Sequence, residues 1–270
     1  MKRIFRKATF ITIVVSIIFL IVGSHEIIHR TSEPTASAAI NPNTPTPVII
    51  KPPIPALPLN DQQRFLNTIA NKLSIIPQPG SYEYILLRAY GSVFLNQDFN
   101  IRLPQKVLLN NEQETKEFQS TLTMVRVDGT RECFLQKPAA DALNKAKLLQ
   151  NIRLKSGNVG DCTRTFALNQ RFWQKYANNR TLNAVKQGRE TRILGVVAPP
   201  GSSQHLWGLA IDLQVYSPLQ REALNQNGWF QTVENDVPHW TYLGLAEEDL
   251  PNFGLRPKVV RGITYWLTPI

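Results

Sequence analysis

Residues 31–60 set the strongest limit on what this chain can fold into. The stretch "EPTASAAINPNTPTPVIIKPPIPALP" is dense in Pro, Thr and Ala. Proline fixes φ and lacks an amide hydrogen, so such a segment neither joins a sheet nor extends a helix. It also offers too little apolar surface to offset the entropy of ordering. It prefers extended polyproline II, at about 3.1 Å per residue, and reads as a linker. The 270 residues therefore divide into a short N-terminal piece, 1–30, the linker, 31–60, and a folded part that starts near Asp61.

The N-terminal piece opens with Lys2, Arg3, Arg6 and Lys7, followed by an apolar run from Ala8 to Val22. The run reaches Ile28 if His25 and Glu26 sit at an interface. A basic start ahead of such a run reads as a signal peptide or a membrane anchor. Its uninterrupted core falls short of the roughly 20 residues expected of a span. The small-residue pattern Ala36-Ser37-Ala38 lies far past the run, so an uncleaved anchor is the preferred expectation. The positive-inside rule then places the folded part outside the cytoplasm, in the cell envelope, in the periplasm or beyond the cell.

The net charge of +10 raises nucleic acid as a partner. The basic residues are scattered and no nucleic-acid motif is recognisable, so that class is set aside. An anionic envelope polymer suits the charge better. Cys133 and Cys162 fall in the exported part, where one disulfide could form. It would contribute about 3–4 kcal/mol on the chain-entropy model. Two unpaired buried thiols are the other reading, and sequence alone leaves both open.

From Asp61 onward, helical and strand patterns mix without βαβ alternation. Asp61 is placed to cap a helix with Phe65, Ile69 and Leu73 on one face. Asn111 and Glu114 have capping-box spacing ahead of a helix with Phe118 and Leu122. "TMVRV" alternates as a strand, and Pro138 suits the first turn of a helix facing inward through Ala139, Leu143 and Ala146. "NIRLKSG" reads as a short strand, and Thr163 to Ala177 as a helix. "GLAIDLQV" and "PHWTYLGL" are core strands, separated by a helix that Ser217-Pro218 opens and Gly228 closes. The class is α+β.

His205 and His239 are the histidines of the folded part. His205 precedes Asp212 by seven residues, and His239 follows Asp236 by three. Catalytic zinc sites commonly use three protein ligands from His and carboxylate and leave one position open. Strand alternation sets Gly208, Ala210 and Asp212 on one face of "GLAIDLQV". The small neighbours suggest space beside the carboxylate. In "PHWTY", His239 and Thr241 share a face. Two adjacent antiparallel strands would bring Asp212 and His239 together, with His205 reaching in from the preceding turn. Such a buried carboxylate needs a partner, either a metal or an Arg. A second zinc pattern, "HEIIH" at 25–29, matches H-E-x-x-H. It sits at the end of the apolar run next to the linker, away from any folded domain, and is discounted.

"SQHLWGLAID" together with "DVPHW" resembles the VanY-like D-alanyl-D-alanine carboxypeptidases and the related L-alanyl-D-glutamate endolysins. Ser203, His205, Gly208, Ala210 and Asp212 match the family pattern S-x-H-x-x-G-x-A-x-D at each fixed position. The resemblance spans roughly residues 135–245 and implies a hedgehog/DD-peptidase-like zinc peptidase domain over 131–270, with a small antiparallel sheet flanked by helices. Residues 61–130 then form an N-terminal extension. The resemblance also implies that His205, Asp212 and His239 hold one zinc ion and that Asp236 is the general base, with Glu234 as the alternative. Arg164, Gln170 and Ser203 are implied substrate contacts, although the family's "SGYRS" segment is altered here to "SGNVGDCTRT". The implied substrates are peptidoglycan stem peptides, cut as a carboxypeptidase. The alternatives are an endopeptidase of the same fold and a non-catalytic peptide- or metal-binding relative.

Overall fold

The structure is a computed structural model and describes residues 58–270. The apolar run, Ala36–Ala38, His25 and His29, and most of the Pro-rich stretch lie outside the described residues. Among the described residues, no helix is long and apolar enough to cross a membrane.

Helix α1 (Asp61–Ile69) is capped by Asn60 rather than Asp61. The Asn60 side chain accepts from the Gln63 amide at 2.8 Å, and the Gln63 side chain accepts from the Asn60 amide at 2.9 Å. This reciprocal box leaves Asp61 free to pair with Arg64 and Arg256. Helix α2 (Tyr82–Tyr90) runs into a 3-10 turn at Gly91–Leu95. Helix α3 (Glu112–Ser120) has Asn111 as its cap, but Glu114 reaches back to the Asn110 amide, one residue outside the expected box.

A two-stranded antiparallel pair follows, β1 (Met124–Arg126) with β2 (Phe134–Gln136). Helix α4 (Lys137–Leu149) carries Pro138 in its first turn and buries Ala139, Leu143 and Ala146. Next come β3 (Arg153–Leu154), α5 (Phe166–Tyr176), α6 (Asn179–Lys186), β4 (Ala210–Gln214), α7 (Pro218–Asn225), β5 (Trp229–Phe230) and β6 (His239–Tyr242). Four of these strands form an antiparallel sheet in the order β3-β4-β6-β5. A closing hairpin pairs β7 (Arg256–Val260) with β8 (Ile263–Leu267). The class is α+β, with small antiparallel sheets flanked by helices, as the mixed order of elements predicts.

One core runs through both parts of the folded region. Phe65, Leu87 and Phe94 from the extension belong to the same buried cluster as Leu135, Leu143, Trp207 and Trp240. Phe94 and Trp207 meet with ring centroids 5.5 Å apart. Side-chain amides reinforce the join. Gln136 bridges the Arg102 backbone to the Trp207 carbonyl, and Gln119 donates to the carbonyls of Arg164 and Leu206. Gly201 has φ +89°, and a Cβ there would lie 1.9 Å from the Leu109 carbonyl. Only glycine allows that approach, which ties the extension to the turn ahead of His205.

Cys133 and Cys162 form a disulfide, with Cα atoms 5.4 Å apart. It joins the start of β2 to the 3-10 turn Val159–Asp161.

Candidate metal centre

β4 and β6 pair with Asp212 directly opposite His239 and Ala210 opposite Thr241. Side chains at such paired positions point to the same face of the sheet. His205 comes from the 3-10 turn Gln204–Trp207, which Gly208 ends at φ +66°. The structure therefore brings His205, Asp212 and His239 together as the alternation predicts, all three buried. The small residues nearby have a different role from the one expected. A Cβ on Gly208 would meet Met124 and Gln136 at 3.1–3.3 Å, and Ala210 is fully buried. Gly208 serves the left-handed turn that aims His205; it does not leave open space beside Asp212.

Each imidazole has a defined tautomer. His205 Nδ1 donates to the Cys162 carbonyl at 2.8 Å, which leaves Nε2 as a lone pair. Gln204, 1% exposed, fixes the other ring. Its Nε2 donates to the Tyr90 carbonyl at 2.7 Å, which can only accept, so its Oε1 must face His239. His239 Nε2 donates to that oxygen at 2.8 Å, and Thr241 donates to it at 2.7 Å. His239 Nδ1 is then the second lone pair.

The donor atoms converge. His205 Nε2 lies 3.2 Å from His239 Nδ1 and 3.4 Å from Asp212 Oδ1, and His239 Nδ1 lies 3.7 Å from that oxygen. Two ligands of a tetrahedral zinc, at bonds near 2.05 Å, stand about 3.3 Å apart. Three electron-pair donors facing one point repel one another unless a cation shares them. The donor set and its spacing fit such an ion. Burial, with the Arg164 charge adding, lowers the His205 pKa to about 4, so the ring is neutral at neutral pH.

Asp212 has two partners, one on each oxygen. Oδ1 faces the histidines, while Oδ2 accepts from Arg164 Nη2 at 2.7 Å. Metal and arginine were alternative partners on sequence grounds, and the geometry accommodates both. Burial opposes the Asp212 charge, but in the metal-free protein at low pH protons shared with the facing His205 and His239 nitrogens, together with the Arg164 charge, outweigh it and hold the carboxyl well below the usual range. Arg164 also donates from Nε to the Gly160 carbonyl at 2.6 Å and lies over the Phe172 ring at 4.5 Å.

Asp236 and Ser203 line the same cleft as the three donors. Burial raises the Asp236 pKa to about 6; the Asp212 charge adds to this, and His239, Lys155 and Arg164 oppose it. The loop that carries Asp236 turns through Asn235 at φ +69° and packs on Gly195, where a Cβ would lie 2.4 Å from the Glu234 carbonyl. Glu234 itself pairs with Lys258 at 2.7 Å and is not part of the cleft lining. Gln170 is not brought to the site. It is exposed on α5, whose cap is Thr165, and that frame turns Asn169 and Trp173 inward instead. The buried amide at the centre is Gln204, which occupies a variable position of the motif.

Gln204→Ala removes the acceptor that fixes the His239 tautomer and leaves the Tyr90 carbonyl unpaired. Metal affinity should fall about 10–100-fold, read by competition with a chromogenic chelator. An unchanged affinity would mean that the tautomer is set elsewhere.

Nothing among curated proteins matches the chain. Two solved structures resemble parts of it. The LD-carboxypeptidase LdcB, described for its peptidoglycan recognition, is 18% identical with a TM-score of 0.29 and covers 44% of this chain. This chain spans 65% of that one, just under two thirds. The vancomycin-resistance D,D-dipeptidase VanXYg, in complex with a D-Ala-D-Ala phosphinate analogue, is 15% identical with a TM-score of 0.31. That match covers 57% of this chain and 76% of the other. A family model described as VanY, D-alanyl-D-alanine carboxypeptidase, matches residues 135–244, the region that holds the three convergent donors and Asp236. Over residues 135–244 this chain is similar to the VanY D-alanyl-D-alanine carboxypeptidase family.

Proposed function

We propose that this chain is a zinc-dependent peptidase that removes the terminal D-alanine from peptidoglycan stem peptides. One observation carries the reading: three electron-pair donors meet at tetrahedral edge distances beside a half-buried carboxylate of raised pKa. His205 Nε2, His239 Nδ1 and Asp212 Oδ1 would hold the ion. When bound, zinc would lower the pKa of a coordinated water and polarise the scissile carbonyl. Asp236 takes the proton of the attacking water and passes it to the leaving amine. Arg164 commits Nε and Nη2 within the protein. Its Nη1 has no partner among the described residues, and we assign it to the substrate's terminal carboxylate. Ser203 borders the same space. The space by the donors is small, about 70 Å³, which suits a chain end with a small side chain.

The catalytic unit in this reading includes residues 61–130, because Tyr90, Arg102 and Gln119 brace the motif that carries the donors. The Cys133–Cys162 disulfide supports an oxidising, envelope location. Tethering by the N-terminal segment is part of the same proposal.

The test combines metal analysis of the full-length protein with mass spectrometry of digested muropeptides. The expected result is one zinc per chain and loss of a single alanine from pentapeptides, abolished by chelation and restored by zinc. Cleavage between internal residues would shift the reading to an endopeptidase. Stoichiometric zinc with no cut in any muropeptide would leave a binding protein.

A further inference from the structure

A second groove, of about 1020 Å³, opens beside the metal-facing cleft. Arg131, Lys147, Arg153 and Lys155 line it, against the single acid Glu132. None of the four cations enters an ion pair among the described residues. Lys155 lines both spaces, so the groove and the cleft adjoin at that side chain. Its floor includes β3, an edge strand of the four-stranded sheet. The Lys155 amide donates to the Asp212 carbonyl at 2.9 Å, and Leu154 faces Leu213 in the intervening pair. Leu154 therefore turns its N–H and C=O away from β4, toward the open edge.

An open strand edge accepts an extended peptide by strand addition, with specificity left to the side chains beside it. Here those side chains are cationic. An enzyme that takes the end of a chain must let everything upstream of the scissile bond leave the cleft, and this groove adjoins the cleft at Lys155. We propose that the groove is an extended subsite for an acidic peptide. The acyl side of the substrate would add to β3, and Arg131, Arg153 and Lys155 would pair with its carboxylates. The inference rests on the peptidase reading for the direction of the chain, while the binding itself can be read without catalysis.

The test uses a synthetic acidic pentapeptide ending in D-Ala-D-Ala and the same peptide with its internal carboxylate amidated. Binding to chelated full-length protein is followed by fluorescence anisotropy, and hydrolysis by the zinc-loaded protein is followed separately. The acidic peptide should bind about tenfold more tightly than the amidated one, and its advantage should shrink as salt rises from low to physiological. In hydrolysis the same preference should appear in KM and not in kcat. The double variant Arg131→Gln/Arg153→Gln should lose the preference, and Arg131→Lys/Arg153→Lys should restore much of it. Equal binding of the two peptides to the wild type overturns the proposal, as does a preference that survives in the Gln double variant. A protein that prefers the acidic peptide yet cuts neither would keep the subsite and remove the peptidase reading.

Discussion

Asp236→Asn is expected to lower kcat by about 10²–10⁴-fold while zinc content stays at one per chain. The carboxyl is beside the donor cluster but not part of it, so its loss should spare the metal. Burial has raised its pKa to about 6, which makes it a stronger base than an ordinary aspartate and still largely ionised at neutral pH. The base must be deprotonated to act, so kcat/KM should be flat above pH 6 and fall tenfold per unit below the break. A bound dication favours the charged form, which places the break at or below pH 6 in the loaded enzyme. The acid limb should vanish in Asp236→Asn. Stability should move the opposite way. A carboxyl with a raised folded pKa favours its neutral form in the fold, so the charge opposes folding above the unfolded pKa. In chelated protein at neutral pH, Asp236→Asn should therefore raise Tm. Lost activity with a raised Tm separates a catalytic role from a structural one. A variant that keeps more than a tenth of wild-type kcat, or retains the acid limb, would place the base elsewhere.

The donor cluster was legible because it rests on short-range rules. Alternation along "GLAIDLQV" and "PHWTY" fixes which faces Asp212 and His239 share, and an antiparallel neighbour then sets them opposite one another. His205 needed only a turn ahead of the strand. What escaped the sequence lies in contacts with no period. Gln204 reaches the Tyr90 carbonyl across 114 residues, and Gln119 reaches the Leu206 carbonyl across 87. Neither leaves a pattern at either end. Gln170 turns away from the site because the helix frame depends on where α5 is capped: with Thr165 as cap, Asn169 and Trp173 face the core and the next amide turns to solvent. Gly208, whose small size on its own suggests space, instead supplies a positive φ. Both readings concern small residues on a strand face, and backbone geometry alone distinguishes them. Whether Cys133 and Cys162 pair depends on tertiary approach. The link has a further consequence, since Cys162 supplies the carbonyl that orients His205.

Asp212→Ala should both abolish stoichiometric zinc binding and destabilise the metal-free protein by about 3–5 kcal/mol. The two losses have separate causes. Oδ1 is one of the three converging donors, whereas Oδ2 neutralises Arg164, and both side chains of that pair are only 11% exposed. Removing the carboxylate leaves a guanidinium in the protein with only the Gly160 carbonyl and the Phe172 face beside it. The folded pKa of Asp212 is depressed, so its contribution is fully present above the unfolded value near 4 and is lost as pH falls through the lower folded value. The gap between wild type and variant should thus be widest near neutral pH and close in acid. His205 adds a different slope to both proteins. Its pKa of about 4 means the unfolded chain binds the proton first, so stability falls from about pH 6.5 down to 4. The double variant Arg164→Met/Asp212→Ala separates the two roles. With both partners gone no charge is stranded, so urea denaturation should show much of the stability recovered. Zinc binding should not return, because the third donor is still missing. If the double variant is as unstable as Asp212→Ala, the pair does not account for the loss. If it binds zinc like the wild type, Asp212 is not a ligand.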